Sequence, residues 1–568
     1  MKLSLCSSYK YFLLIASVVY SSTIYAQYAM PKQAFSKKGM VVTAHPIATQ
    51  VGKNILEKGG NAIDAMVAVH FALAVVYQRA GNIGGGGFML YRAAENKNVY
   101  ALDFREKAPA LAHEKMFLDS LGEFIPNLST QGHLAIGTPG SVDGMWQAHQ
   151  KFGTMPWHTL LQPAIDIAEN GVLLTNYEAK TLNEFQPIFK AVNRYKIDFI
   201  KDSIWKKGDT LIQIDLAKTL RQIQTHGRDG FYKGIVADLI VDEMLTMGGL
   251  IRHEDLENYH AVWRKPIQFD YKNYTIYGMP PPSSGGILLA QLFGMIGHFP
   301  LAKYGFQTPT SIHLMAEVER RAYADRASYL GDPDFYNVPS EKLIDSLYLK
   351  NRIQDIQLYK ASKSKEIVAG LNPESEETTH YSISDQFGNA IAVTTTVNTN
   401  YGSKVVVKNA GFILNNEMDD FAAKPNAPNY FGLLGSDANA IAPNKRMLSS
   451  MCPTIVEKKG NLYLILGTPG GSTIPTTIFQ VLVNHLIFGK SLKNAVNAYR
   501  FHHQHMPDKI QYEKGAFSKN TIKILKQLGH KVEVRKVTGQ VDAILLHDNG
   551  IYEGIADRRS DDTALGVE

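Results

Sequence analysis

The chain has 568 residues, 45% hydrophobic and 20% charged, an ordinary globular composition with ample length for a large core. Its formal net charge of +6 is small for that length. With no basic run interleaved with aromatics, nothing here argues for nucleic-acid binding.

At the N-terminus, Lys2 and Lys10 precede an apolar stretch at residues 11–19. Small and polar residues follow and end at Ile24-Tyr25-Ala26, before Gln27. This reads as a secretory signal peptide cleaved after Ala26. The apolar run is too short to span a membrane, so no span is expected once the signal is removed. Cys6 leaves with the signal, and Cys452 is then the single cysteine, which rules out an internal disulfide. Export without disulfides points to a bacterial periplasm or to secretion, with stability supplied by the core.

Residues 40–80 read as helical and apolar, with small residues in Asn61-Ala62-Ile63-Asp64-Ala65-Met66-Val67-Ala68 that suit close packing on a sheet. Four glycines, Gly84 to Gly87, precede the buried-strand pattern Phe88-Met89-Leu90-Tyr91. No Lys-Ser/Thr follows them, so they read as a tight turn with close backbone packing and not as a phosphate loop. Ala101-Leu102-Asp103-Phe104-Arg105-Glu106 alternates like a strand and ends in charge. Residues 130–260 alternate helical patterns with polar loops, residues 277–286 form a proline-broken loop, and residues 313–329 form a strong helix candidate. Residues 350–377 are polar and read as an exposed linker running up to Thr378.

After Thr378 the texture becomes β-rich. Residues 378–384 alternate, residues 385–389 make a turn and residues 390–398 form a second strand. A hairpin centred on Phe387 pairs residues whose numbers sum to 774, which places Thr378 opposite Thr396 with Cβ atoms roughly 4.5–5.5 Å apart. A cut before Thr378 would give one residue both a hydroxyl nucleophile and a free α-amine.

With these segments in view, the chain resembles the γ-glutamyltranspeptidase (glutathione hydrolase) family of N-terminal-nucleophile hydrolases. The resemblance runs from about residue 35 to the C-terminus. Five segments carry it in order: Asp103-Phe104-Arg105-Glu106, Thr378-Thr379-His380-Tyr381-Ser382, Leu414-Asn415-Asn416-Glu417-Met418-Asp419-Asp420-Phe421, Leu448-Ser449-Ser450-Met451 and Pro469-Gly470-Gly471-Ser472. It implies an α+β fold, a four-layer αββα sandwich. It further implies self-cleavage between Glu377 and Thr378 into a large subunit, 27–377, and a small subunit, 378–568, that share one core as a heterodimer.

The resemblance also assigns roles. Thr378 matches the nucleophile, Thr396 its hydrogen-bonding partner, and Gly470 and Gly471 the oxyanion hole. Arg105, Ser449 and Ser450 match groups on the substrate α-carboxylate, where a guanidinium suits bidentate bonding. Asp420, Glu417 and Asn398 match groups on the α-ammonium. Glutathione and other γ-glutamyl compounds are the implied donors, with water, amino acids or peptides as acceptors and no cofactor or metal. His502-His503-Gln504-His505 lacks the spacing of a metal site and reads as packed or surface histidines. Residues 425–436 match a lid loop on which several members carry tyrosine where this chain has Phe431. A glutaryl or cephalosporin acylase of the same fold would have no α-ammonium for Asp420 to hold. A non-catalytic binding protein would have no need of the nucleophile, the second hydroxyl and the diglycine.

Overall fold

Met40-Val41-Val42-Thr43, β-branched at three of four positions, forms a strand and not the start of a helix. Helices follow at Pro46–Glu57 and Ala62–Val76. The second opens with a capping box: the Asn61 side chain accepts from the Asp64 amide at 3.0 Å, and the Asp64 carboxylate accepts from the Asn61 amide at 2.9 Å. The computed structural model describes residues 31–367, 378–422 and 437–568. The expected signal peptide, Glu377 and Phe431 lie outside the described residues.

Two seven-stranded antiparallel sheets stack face to face. One runs in the order Thr563–Gly566, Met40–Thr43, Thr379–Ser384, Ala390–Thr396, Gly86–Arg92, Val99–Phe104, Val262–Arg264. The other runs Gln33–Ser36, Tyr552–Ala556, Asp542–Leu546, Asn461–Gly467, Thr454–Lys458, Tyr274–Gly278, Ile267–Tyr271. Period-two alternation sorts the first sheet's side chains. Val41, Met89, Tyr91, Tyr381, Ile383, Ile391 and Val393 pack beneath helices such as Ala62–Val76 and Trp157–Asn170. Met40, Val42, Phe88, Leu90, Ala390 and Ala392 face the second sheet, whose far side is covered by Gly285–Ile296, Pro309–Tyr329 and Thr473–Leu482. The layers are helices, sheet, sheet, helices: the expected αββα sandwich.

The hairpin register is the expected one. Thr379 pairs with Thr395 and Ser384 with Ala390, each pair summing to 774. Asp385 holds the turn by accepting from the Phe387 and Asn389 amides, both at 2.9 Å. The glycine run is also as expected, since a methyl group on Gly85 would lie 2.1 Å from the Thr396 carbonyl oxygen.

Residues 350–367 are not simply an exposed linker. They are tied to Pro309–Tyr329, a helix whose charged residues are almost all buried. Arg321 pairs with Asp355 at 2.8 Å and with Glu317 at 2.7 Å. Arg320 donates to the Ser364 hydroxyl at 2.6 Å, and Glu317 accepts from the Ser362 amide at 3.1 Å. The polar composition that suggested solvent instead serves a buried ion network, in which each charge needs a partner.

Candidate active site

Thr378 enters its strand with 6% exposure. Extending the observed register by one residue sets it opposite Thr396, on the same face as His380 and Ser382. That face looks into the gap between the sheets: the Ser382 hydroxyl donates to the Asp542 carbonyl on the second sheet at 3.1 Å. The His380 ring sits against Gly467, where a methyl group would lie 2.2 Å from it. His380 bonds the Thr394 and Ser382 hydroxyls at 2.9 and 3.1 Å, and burial pulls its pKa down to about 3. It is a neutral wedge between sheets and a poor base at neutral pH.

Three residues beyond Gly467, Gly470 and Gly471 turn the chain from strand Asn461–Gly467 into helix Thr473–Leu482 with φ of +132° and +53°. Only glycine adopts such a pair without strain. Among the described residues, neither glycine amide has a protein acceptor. Gly470 and Thr378 line one cavity of about 750 Å³. The turn is anchored by Ser472, whose hydroxyl donates to Gln504 at 2.9 Å and whose carbonyl accepts from the Tyr323 hydroxyl. Two unpaired amides at a helix N-terminus, beside a threonine hydroxyl, can stabilise an oxyanion formed there.

The Thr396 hydroxyl accepts from the Asn398 amide at 2.7 Å. Asn398 adopts a φ of +76°, and its side chain donates to the Asn416 carbonyl at 3.0 Å. Asn82 fixes this end of the strand: its side chain donates to the Thr396 carbonyl at 2.9 Å and accepts from the Gly85 amide at 3.0 Å. The sequence reading did not single out Asn82, and its place just before the glycine run was the only signal.

At the same end of the sheet, Gly87 pairs with Phe104, and Arg105 follows directly. Arg105 is buried, and its backbone is fixed: its amide donates to Asp103 at 3.0 Å and its carbonyl accepts from Tyr259 at 2.7 Å. Its guanidinium pairs with Glu417 at 2.6 Å and with Asp420, and lies 3.5 Å from Glu106. It also donates to the Leu448 carbonyl at 3.3 Å, which brings in the serine pair. Ser450 is fully buried and its hydroxyl has no partner among the described residues, while Ser449 accepts from the Met451 amide at 3.2 Å. Burial pushes Glu417 and Glu106 up to about 8, against the opposing pull of Arg105. Glu106 was quoted in the sequence motif but given no role.

Asn415 and Asn416 are scaffold. Asn415 accepts from the Gly137 amide at 2.9 Å and donates to the Gly84 carbonyl at 2.9 Å, and Asn416 donates to the Thr130 carbonyl at 3.0 Å. Met418 and Phe421 plug an apolar cluster with Phe117 and Met447. This leaves the acids of the short helix Glu417–Asp420 on its other side, with Asp419 accepting from Ser129 at 2.5 Å. His502 and His503 are packed, hydrogen-bonded to Gln504 at 2.7 Å and Asp508 at 3.3 Å. Among the described residues one group, His313, Glu317 and His530, brings three ligand-type atoms within 4.8 Å. Its donors are already engaged: the two histidines bond each other at 2.8 Å and Glu317 pairs with Arg321.

The family model for gamma-glutamyltranspeptidase matches residues 48–567. The chain belongs to the gamma-glutamyltranspeptidase family. Among curated relatives of this gamma-glutamyltranspeptidase homologue, the glutathione hydrolase proenzyme of Escherichia coli (strain K12) is 48% identical over 94% of this chain and 92% of that protein. Among solved structures, cephalosporin acylase from Bacillus halodurans superposes with a TM-score of 0.82 at 25% identity, covering 94% of this chain and 97% of that one. Helicobacter pylori gamma-glutamyltranspeptidase matches at 46% identity and a TM-score of 0.56, covering 57% of this chain and 94% of that one. The sandwich is thus common to transpeptidase and acylase, and the choice between their chemistries falls to the site.

Proposed function

We infer that this protein is a γ-glutamyltransferase and glutathione hydrolase made as a self-cleaving proenzyme. The observation that carries the reading is Thr378, sharing one cavity with Gly470 of a diglycine turn whose amides have no acceptor among the described residues, at the same sheet end as a buried Arg105–Glu417–Asp420 cluster. In the first step the Thr378 hydroxyl attacks the carbonyl carbon of Glu377. The peptide C–N bond breaks as the ester C–O bond forms, and the nitrogen takes the hydroxyl proton. Water then hydrolyses the ester and leaves Thr378 with a free amine, whose ordinary pKa of about 7.7–8.0 lets it accept a proton near neutrality.

In turnover the Thr378 hydroxyl attacks the γ-carbonyl of a γ-glutamyl donor. The Gly470 and Gly471 amides would hold the oxyanion, and Thr396 would orient the nucleophile. Collapse releases the leaving amine, cysteinylglycine when glutathione is the donor. Water or an acceptor amine then resolves the acyl-enzyme. The strand of Thr378 and the strand that Arg105 follows are three places apart in the sheet, about 14 Å at ordinary strand spacing. A five-carbon acyl chain and the arginine side chain can bridge that span together. Arg105, Ser449 and Ser450 would take the α-carboxylate, and Asp420, Glu417 and Asn398 the α-ammonium. This acid-rich cluster favours a γ-glutamyl over a glutaryl substrate.

Residues 27–377 and 378–568 would be the two subunits of the mature heterodimer, exported to a periplasm or secreted. Among the described residues, no helix is long and apolar enough to cross a membrane. A denaturing gel with N-terminal sequencing tests the reading. Two bands are expected, the smaller beginning at Thr378, and Thr378→Ala should give one band and no activity. Wild-type protein should turn over γ-glutamyl-p-nitroanilide in preference to glutaryl-p-nitroanilide, and the reverse preference would make it an acylase.

A further inference from the structure

The segment His502-His503-Gln504-His505 takes no part in the chemistry set out above, yet it stands directly behind the diglycine turn. Gln504 is buried, and its amide is oriented by its contacts. The Nε2 group donates to the Met506 carbonyl at 3.1 Å, which leaves Oε1 to meet the other two partners. One is the Ser472 hydroxyl, which donates at 2.9 Å, and the other is His502 Nε2 at 2.7 Å. Facing an acceptor, that nitrogen carries the ring proton. His502 Nδ1 is then an acceptor, and the Thr476 hydroxyl donates to it at 2.8 Å. Burial pulls His502 down to about 3, so the ring stays neutral and this tautomer holds across neutral pH.

Thr476 belongs to helix Thr473–Leu482, the helix into which the turn opens. The bonds therefore close a ring, from Ser472 to Gln504, to His502, to Thr476 and back along the first helical turn. Further anchors come from the chain before Thr378. Glu319 and Tyr323 sit one turn apart on one face of helix Pro309–Tyr329. The Tyr323 hydroxyl donates to the Ser472 carbonyl, and Glu319 accepts from the His503 amide at 3.0 Å. These groups are all buried, so their bonds must be made within the protein. Gly470 and Gly471 bring no side chain to fix a φ of +132° and +53°. Their amides point where the residues that follow set them: Thr473 bonds the Gly470 carbonyl at 2.7 Å, and the ring fixes Ser472.

We propose that Gln504 is a positioning residue for the oxyanion turn: by holding the Ser472 hydroxyl beside His502, it sets the direction of the Gly470 and Gly471 amides and so the rate of acyl transfer at Thr378. The proposal rests on the γ-glutamyl-transfer reading. It gives the His502–Gln504 segment a role that needs no titrating imidazole.

Ser472→Ala and Gln504→Met cut one hydrogen bond from its two ends. Ser472→Ala is the milder change, since Gln504 keeps His502. Gln504→Met keeps the side-chain length and removes the acceptor. In each, kcat for γ-glutamyl-p-nitroanilide, per cleaved Thr378, should fall about three- to thirtyfold, short of the ~10²–10³ that outright loss of an oxyanion donor costs. Donor KM should stay within about twofold. A γ-boronic-acid analogue of glutamate gives a second readout. The Thr378 oxygen adds to its boron and the hydroxyl proton passes to the α-amine, leaving a tetrahedral anion at the turn. Its Ki should rise by the same factor as kcat falls, while the Ki of glutamate, which forms no such anion, should hold. The double variant should be about as slow as the slower single one, because both changes sever one bond.

Unchanged kcat in both variants overturns the positioning role. So does a rise of KM and of the glutamate Ki in step with the loss of kcat, or loss of self-cleavage with a lowered denaturation midpoint, since the ring would then be scaffold alone. Additive losses in the double variant overturn it as well, by separating Gln504 from Ser472. A wild type that neither turns over any γ-glutamyl donor nor binds the boronic acid overturns the γ-glutamyl reading, and the positioning role with it; that result is distinct from an active wild type with unaffected variants.

Discussion

Among the described residues, Arg105 is one cation among three carboxylates, Glu106, Glu417 and Asp420. Burial makes that imbalance costly, and it pushes Glu106 and Glu417 up to about 8, so these two carboxyls retain protons near neutrality. In the proposed binding mode a substrate α-ammonium would add a cation and favour the ionised carboxylates, so donor binding should expel a proton. Below about 8 the proton competes with donor. KM for a γ-glutamyl donor should therefore fall as pH rises from about 6 to 8, at most tenfold per unit for each proton released. In Glu417→Gln the slope should flatten, and a donor KM profile over that range checks it. An unchanged slope would take Glu417 out of the proposed ammonium site. Stability has a matching sign. The folded state holds protons that the unfolded chain has already lost, so these two groups lower stability as pH rises from the ordinary carboxylate range toward 8. Arg105, Glu417 and Asp420 could be picked out as candidates in sequence because their motifs are contiguous, and the fold brings them together. Glu106 and Asn82 were not assigned, because what they do depends on contacts between segments far apart in the chain.

At the scale of elements, the hairpin could be read exactly as far as alternation and a symmetric turn define a register, and Thr378 falls opposite Thr396 for that reason. Alternation along one strand does not show what lies across the gap between sheets. Gly467 is the case in point. It ends strand Asn461–Gly467 and leaves the space that the His380 ring fills, two residues from Thr378. In Gly467→Ala the added methyl would meet that ring at 2.2 Å, with both neighbours in well-packed strands. Overpacking of this kind costs about 1–3 kcal/mol. The expected outcome is a lower denaturation midpoint together with slowed self-cleavage, because strand Thr379–Ser384 must shift to make room. Denaturant titration of the uncut protein and a timed gel would measure the two effects. A fully stable variant that cleaves at the normal rate would show that the wedge has slack. Pro309–Tyr329 illustrates the opposite limit of sequence reading: it is recognisable as a helix, but its run of charges gives no hint that Glu317, Arg320 and Arg321 are buried.

For the whole molecule, the cut before Thr378 would divide the chain without dividing the core. In the first sheet, Thr563–Gly566 lies beside Met40–Thr43, which lies beside Thr379–Ser384; Ala390–Thr396 then lies beside Gly86–Arg92. Segments from before and after Thr378 thus alternate, with three junctions between the two pieces. In the second sheet, Gln33–Ser36 at one edge and Tyr274–Gly278 near the other flank four strands from the later piece. Neither piece could complete a sheet or cover its apolar faces alone, because each junction is a backbone ladder and the first sheet's ladders are buried beneath helices that mostly belong to the earlier piece. The cleaved protein should therefore elute as one species containing both pieces. It should unfold in a single transition, with far-UV circular dichroism and intrinsic fluorescence giving coincident midpoints. Once separated in denaturant, the pieces should regain activity only when refolded together. Recovery of a folded fragment from either piece alone would show that the sheets are less interdependent than their strand order requires.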